Sequence, residues 1–85
     1  MSQPPPDDPL DFIDMDDVFQ HGDPNNWNYL GPKAGSPTPA TSPNAQPGTM
    51  KHYDIYEDEF GDEIEVHFFR YPDGTVDDVK IKQRT

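Results

Sequence analysis

The chain has 85 residues with a formal net charge of −11, from 17 acidic and 6 basic side chains, and only 31% of it is apolar. So short and polar a chain builds one small core at most, contributing about 3–5 kcal/mol, and leaves part of itself disordered. It has no cysteine and no apolar run near the roughly 18–20 residues of a membrane span, and its charge repels nucleic acid and anionic lipid while attracting basic proteins.

Composition changes near Gly48. Residues 1–47 carry ten of the eleven prolines and a net charge of −6, and residues 48–85 carry one proline and a net charge of −5. Residues 1–8 read as a disordered tail without a signal-peptide pattern, which points to the cytoplasm. Segment 9–30 holds one expected helix, over about 9–21. Asp8 can cap it, Pro9 suits its first position, Asp11 lies in the positively polarised first turn, and Gly22 supplies a left-handed stop. Phe12, Met15, Val18 and Phe19 share one side of the helical wheel, whereas Leu10 and Ile13 fall elsewhere. About a dozen such residues are marginal in water, and Asp11, Asp14, Asp16 and Asp17 repel one another along the helix. It therefore needs a surface. That surface is either this chain's own sheet or a basic-rimmed groove on a partner that takes Phe12, Met15 and Phe19. Trp27 and Tyr29 follow among turn formers and are expected to pin the loop, with Trp27 also a candidate partner anchor. Residues 31–48, GPKAGSPTPATSPNAQPG, hold nothing to bury and read as a disordered Pro-rich linker.

Segment 49–85 carries the clearest pattern. Gly48, Gly61 and Gly74 stand 13 residues apart and open the aligned units GTMKHYDI, GDEIEVHF and GTVDDVKI. Alternation within each unit is the strand signal and each glycine the turn signal. The fold expected is small and mostly β: a three-stranded antiparallel meander over about 50–57, 63–71 and 76–83. In the second hairpin, Phe68 opposite Val79 and Val66 opposite Ile81 make one apolar side, and the charges pair as Glu65–Lys82, Glu63–Arg84 and Arg70–Asp77. A three-residue PDG turn would instead set Val66 against Lys80, and the side-chain pattern outranks it. Carried back one strand, the same register puts Tyr53 opposite Phe68 and Ile55 opposite Val66. The buried face is then Tyr53, Ile55, Ile64, Val66, Phe68, Val79 and Ile81. The other face carries the rows His52–Phe69–Asp78, Asp54–His67–Lys80 and Tyr56–Glu65–Lys82.

The row Asp54–His67–Lys80 is the one arrangement with a catalytic look, a carboxylate-held histidine beside cations (Lys80, Arg70) that could stabilise an oxyanion. Charge complementation on a solvated strand face produces the same row, so the residues argue more against an enzyme than for one. The acids Asp58, Glu59, Asp62 and Glu63 crowd a turn without the EF-hand pattern, and the three histidines fit no zinc spacing. No metal and no cofactor are expected.

The stretches YEDEFGDEIEVHFF and RYPDGTVDDVKIK resemble the hairpin units of Rhs-type YD-repeat proteins and are similar to closing segments of bacterial polymorphic toxin modules. That resemblance implies a hairpin sheet whose His67, Arg70 and Lys80 contact RNA phosphate, an RNA-binding or RNA-cleaving module. The charge implies something else: an acidic interaction protein of bacterial or phage type that occludes a basic protein surface, as inhibitors, immunity proteins, antitoxins and nucleic-acid mimics do. Its contact acids would be Asp11, Asp14, Asp16, Asp17, Glu57, Asp58 and Glu59, and its anchors Phe12, Met15, Phe19, Trp27 and Phe69. The exposed sheet face or edge also offers a route to a homo-oligomer.

Overall fold

The computed structural model describes residues 5–42 and 44–85. Within them a five-stranded antiparallel sheet is built from β1 (Asn28–Pro32), β2 (Thr38–Pro39), β3 (Met50–Glu57), β4 (Glu63–Arg70) and β5 (Val76–Gln83), with one helix, α1 (Met15–His21), and two 3-10 turns at Pro9–Phe12 and Pro24–Asn26. The sheet runs β1–β3–β4–β5, and β2 shares with β1 the free edge of β3.

The expected meander is present, and three finer expectations are corrected. The first is the linker. Instead of hanging free, it supplies the end of β1 and all of β2, and between them the Lys33 amide donates to the Tyr53 carbonyl at 2.8 Å. The Tyr53 amide in turn donates to Ser36 Oγ at 2.9 Å. Its side chains bury almost nothing, so the ordering comes from backbone groups that would otherwise leave the edge of β3 unpaired. The tail is also tied at its end. Asp7 N–H donates to the Gly74 carbonyl at 3.0 Å, and Arg70 donates to the carbonyls of Asp7 and Gly74. That use of Arg70 replaces the expected pair with Asp77.

The second correction concerns the helix, which is two pieces. Asp8 caps the 3-10 turn through the Leu10 amide, and Asp14 caps α1 through the Asp17 amide, so the chain breaks at Ile13. Starting at Met15 puts Asp16 and Asp17 in the first turn, where the helix dipole favours them, and His21 in the last. Gly22 ends α1 at φ 82°, its amide bonded to the Val18 carbonyl. A Cβ at Gly22 would fall inside the side chain of Glu59, whose carboxylate accepts from Asp23 N–H and the Asn26 amide. Gly22→Ala is therefore expected to cost about 1–2 kcal/mol, read as a lowered thermal midpoint, and an unchanged midpoint would show that Glu59 has room to move aside.

The third correction is register. In β3–β4, Tyr53 faces His67, Ile55 faces Glu65, His52 faces Phe68 and Asp54 faces Val66. The whole of β3 is one residue from the expected pairing and turned over. Both hairpin turns are three-residue loops closing on a glycine in positive φ, Gly61 at 88° and Gly74 at 91°. In the first, Asp58 Oδ1 accepts from the Phe60 and Asp62 amides at 2.9 Å each, which sets the pairing. In the second, the PDG turn holds locally, with Phe69 opposite Asp77, and the expected pairs Val66–Ile81 and Glu65–Lys82 hold further along. A bulge at Asp78, φ 53°, joins the two registers. Its physical reason is the spacing of Val76, Val79 and Ile81, which no regular strand can place on one side, while all three pack against the core.

The core lies on one face of β3–β5. Ile64, Val66, Phe68 and Trp27 are buried, and Leu10, Ile13, Tyr56, Val76, Val79 and Ile81 pack around them. No helix among the described residues is long and apolar enough to cross a membrane.

Candidate functional site

The first 3-10 turn lies against β5 beside this core, and the side chains of the arm that dock are Leu10 and Ile13. Phe12, Met15 and Phe19 are 53%, 66% and 81% exposed. Asp11, Asp14 and Asp16 are exposed beside them, and Asp17 is half-buried, its carboxyl pushed up by burial and by neighbouring Asp14. This arm turns three large apolar side chains and three aspartates to solvent.

Its seat on the sheet is a buried polar cluster. His21 Nδ1 lies 2.9 Å from Asp58 Oδ2 with both side chains shut from water. The Trp27 indole donates to the His21 carbonyl at 2.9 Å, and the Glu59 amide donates to the same oxygen at 3.1 Å. Burial would push Asp58 up, but His21 and the Asp62 and Phe60 amides outweigh it and hold the carboxyl below its ordinary range. Trp27, 7% exposed, and Asp58 are thus internal, and neither is free to meet a partner. Glu57 is half-buried and accepts from the Asn28 amide, while Glu59 is exposed but engaged with Asp23 and Asn26.

The opposite, outer face gathers Lys51, Tyr53, Glu65, His67, Phe69, Lys80 and Lys82. The expected row Asp54–His67–Lys80 is not assembled. His67 does face Lys80, but Asp54 projects to the core side, where burial raises its carboxyl. The rows through His52 and Tyr56 dissolve for the same reason, and burial pushes the Tyr56 hydroxyl up to about 12. The carboxylate beside His67 is Glu65, 2.8 Å from its Nε2. Arg84 donates to Glu65 at 2.7 Å and Lys33 at 3.4 Å. The His67 hydrogen bond, against the upward push of burial and aided by Arg84 and Lys33, holds Glu65 at about 2. The Tyr53 ring meets the His67 ring edge-on at 4.5 Å between centroids. Three partners saturate Glu65, so the group orients cations and is poorly placed to move a proton.

Along this face two grooves run between the described residues 38–42 and 44–46 and the sheet. One is lined by Thr38–Ser42 with Lys51, Tyr53 and Phe69, and the other by Ser42 and Asn44–Gln46 with Thr49, Phe69, Tyr71, Asp77 and Asp78. Lys51 Nζ sits 4.2 Å from the centre of the Phe69 ring. Sequence reasoning placed Phe69 here among the anchors but missed His21, Thr49, Lys33 and Lys51. The one readable signal was D-x-x-G at Asp58–Gly61, an Asx-type turn. Compared with protein-family models, with curated proteins and with solved structures, the chain has no significant match in any of the three.

Proposed function

We propose that this chain is a non-enzymatic interaction module whose acidic arm docks on, and occludes, a basic surface of another protein. One observation carries the reading: Phe12, Met15 and Phe19 stand in solvent although the fold has already filled its core with Leu10, Ile13 and Trp27. Three large apolar side chains on one short arm, bordered by Asp11, Asp14 and Asp16, are what a helix-in-groove contact uses. With a net charge of −11, encounter with a basic partner is steered by the field, and the apolar side chains then hold the complex.

The test is affinity capture from the source cells by the wild type and by a Phe12→Ala, Met15→Ala, Phe19→Ala variant, followed by association kinetics with the captured protein. Because the three residues are exposed, the variant is expected to melt with the wild type to within about 0.5 kcal/mol while losing capture. The wild-type on-rate should fall steeply as salt is raised. Equal capture by both chains, or an on-rate indifferent to salt, overturns the reading.

A second reading is an RNA-binding or RNA-cleaving module of toxin type, using the His67 face. It is favoured by the gathering of Lys33, Lys51, Lys80, Lys82 and Arg84 on the side of Tyr53, His67 and Phe69. It ranks second because Glu65, Glu63 and Asp78 answer Lys33, Arg84 and Lys80 within 4 Å. Toxicity on expression that vanishes with His67→Ala would reverse the ranking.

A further inference from the structure

We propose that two copies of this chain pair antiparallel through the free edge of β5, joining their sheets into one. Among the described residues β5 pairs with β4 alone, so its other side is an edge. The ladder fixes which backbone groups that edge presents. The Arg84 amide donates to the Glu63 carbonyl at 3.0 Å, so Glu65–Lys82 and His67–Lys80, in the same register, are the pairs that exchange hydrogen bonds. Lys80 and Lys82 therefore turn their backbone groups towards β4, and Val79, Ile81 and Gln83 turn theirs outward. Beyond the bulge the Tyr71 amide donates to the Thr75 carbonyl, which turns Val76 outward too. There the Asp7 carboxylate accepts from the Val76 amide at 3.3 Å and closes that end of the edge. Among the described residues nothing does the same for Val79 or Ile81. Outward amides and carbonyls on a strand are a template for another chain.

The occupant is a second copy because the strand is complementary to itself when reversed. Its acids come first, Asp77 and Asp78, and its bases last, Lys80, Lys82 and Arg84. Val79 and Ile81 face the core, and Asp78 and Lys82 face the outer side. A twofold axis at Lys80 sets Val79 opposite Ile81 of the second copy, and Ile81 opposite its Val79. Each of these pairs exchanges both ladder hydrogen bonds and carries the apolar side across the axis. The same register sets Asp78 opposite Lys82 of the second copy, and Lys82 opposite its Asp78. Both charges are free to take such a partner. Lys82 has no carboxylate in ion-pair contact among the described residues, and Asp78 has only Lys80, exposed and at 3.5 Å. The two Lys80 side chains meet at the axis, each with its own Asp78 beside it. An axis at Ile81 would instead oppose Lys80 and Lys82 twice, and one at Val79 would oppose Ile81 and Asp77 twice, so the register is set by the side chains. So short a contact falls below the roughly 1,200 Å² of a standard interface, and the dimer is expected to form at about 0.1–1 mM. The pairing goes beyond the proposed function and does not depend on it.

The test is sedimentation equilibrium and amide hydrogen exchange of the full chain between about 0.05 and 2 mM. Both are run in about 0.15 M salt, which screens the repulsion between two chains of net charge −11 each. The mass is expected to rise towards that of a dimer. Over the same range exchange at Val79 and Ile81 should slow about twofold or more, while Lys80 and Lys82, whose amides already face β4, stay as they are. This alternation is the signature of edge pairing and needs no variant. Lys82→Glu, which sets two like-charged pairs across the axis, should weaken association about tenfold or more, with exchange in β3 and β4 unchanged as the check that it folds. A mass that does not change with concentration, Val79 and Ile81 exchange that does not change, or association untouched by Lys82→Glu in a folded chain overturns the pairing. Association that the Phe12→Ala, Met15→Ala, Phe19→Ala variant abolishes, with Val79 and Ile81 exchange unaltered in the wild type, places the contact at the arm and overturns it as well.

Discussion

Asp58→Ala is expected to remove about 3–5 kcal/mol from a chain whose length supports roughly 4–13 kcal/mol in all, leaving it largely unfolded in mild urea. The size follows from what one carboxylate does. Oδ2 holds His21 at 2.9 Å in a site closed to water, and Oδ1 holds the Phe60 and Asp62 amides that form the β3–β4 turn. Removing it leaves three donors without an acceptor, two of them in the turn and the third on a buried histidine. The arm loses its seat at the same time, because the His21 carbonyl is where the Trp27 indole and the Glu59 amide attach. The sign with pH runs the same way. Asp58 is held below its ordinary value, so its contribution is present at neutral pH and fades as acid protonates it in the folded state. Urea unfolding followed by tryptophan fluorescence reads the result directly, since the chain's one Trp is part of the cluster. A loss under about 1 kcal/mol would mean that the turn and helix stand without this carboxylate. Glu59→Ala, whose carboxylate bonds only to the exposed Asp23 and Asn26, is the control and should cost about 1 kcal/mol.

That cluster also marks the boundary of what the sequence makes legible. The turns were readable because they are local: Asp8 and Gly22 announce their roles within four residues, and the glycine rhythm places all three long strands to within a residue or so of Met50–Glu57, Glu63–Arg70 and Val76–Gln83. Register of β3 was not, because its two sides are both mixed, Met50, His52, Asp54 and Tyr56 on one and Lys51, Tyr53, Ile55 and Glu57 on the other. Tyr53 and Ile55 make the more apolar stripe, yet every residue of the strand ends half-buried, between β4 on one edge and β1 and β2 on the other. Alternation distinguishes faces only where one of them is wet. The strands β1 and β2 were invisible for a related reason. NYLGP and TP carry turn formers, and they pair through backbone groups offered by an edge elsewhere in the chain. His21–Asp58 spans 37 residues, and nothing in either neighbourhood names the other. For the candidate site, the arm's apolar strip was legible as composition. Its exposure was not, because whether Leu10 or Phe12 turns inward depends on where Asp14 restarts the helix.

Glu65 gives the second large effect and separates stability at neutral pH from stability in acid. Glu65→Gln keeps the shape but exchanges a carboxylate for an amide in front of His67, Arg84 and Lys33, at a position only 8% exposed. The expected cost near neutral pH is about 2–3 kcal/mol, in the range of a hydrogen bond to a charged group. It also removes one of the two carboxylates that hold Arg84, leaving Glu63 to tie that side chain. The folded-state value near 2 lies below the ordinary 4.5 of a glutamate. The wild type therefore holds this stabilisation fully above about 4.5 and loses it progressively as pH falls from there towards 2. The difference between wild type and variant should shrink along that limb and nearly vanish at its foot, while other carboxylates lower both curves together. Urea midpoints measured at several pH values across the interval give the difference without assumptions about those other groups. A gap that stays constant with pH would mean that Glu65 contributes through packing and not through its charge, and Arg84 and Lys33 would then be answering Glu63 and the solvent instead.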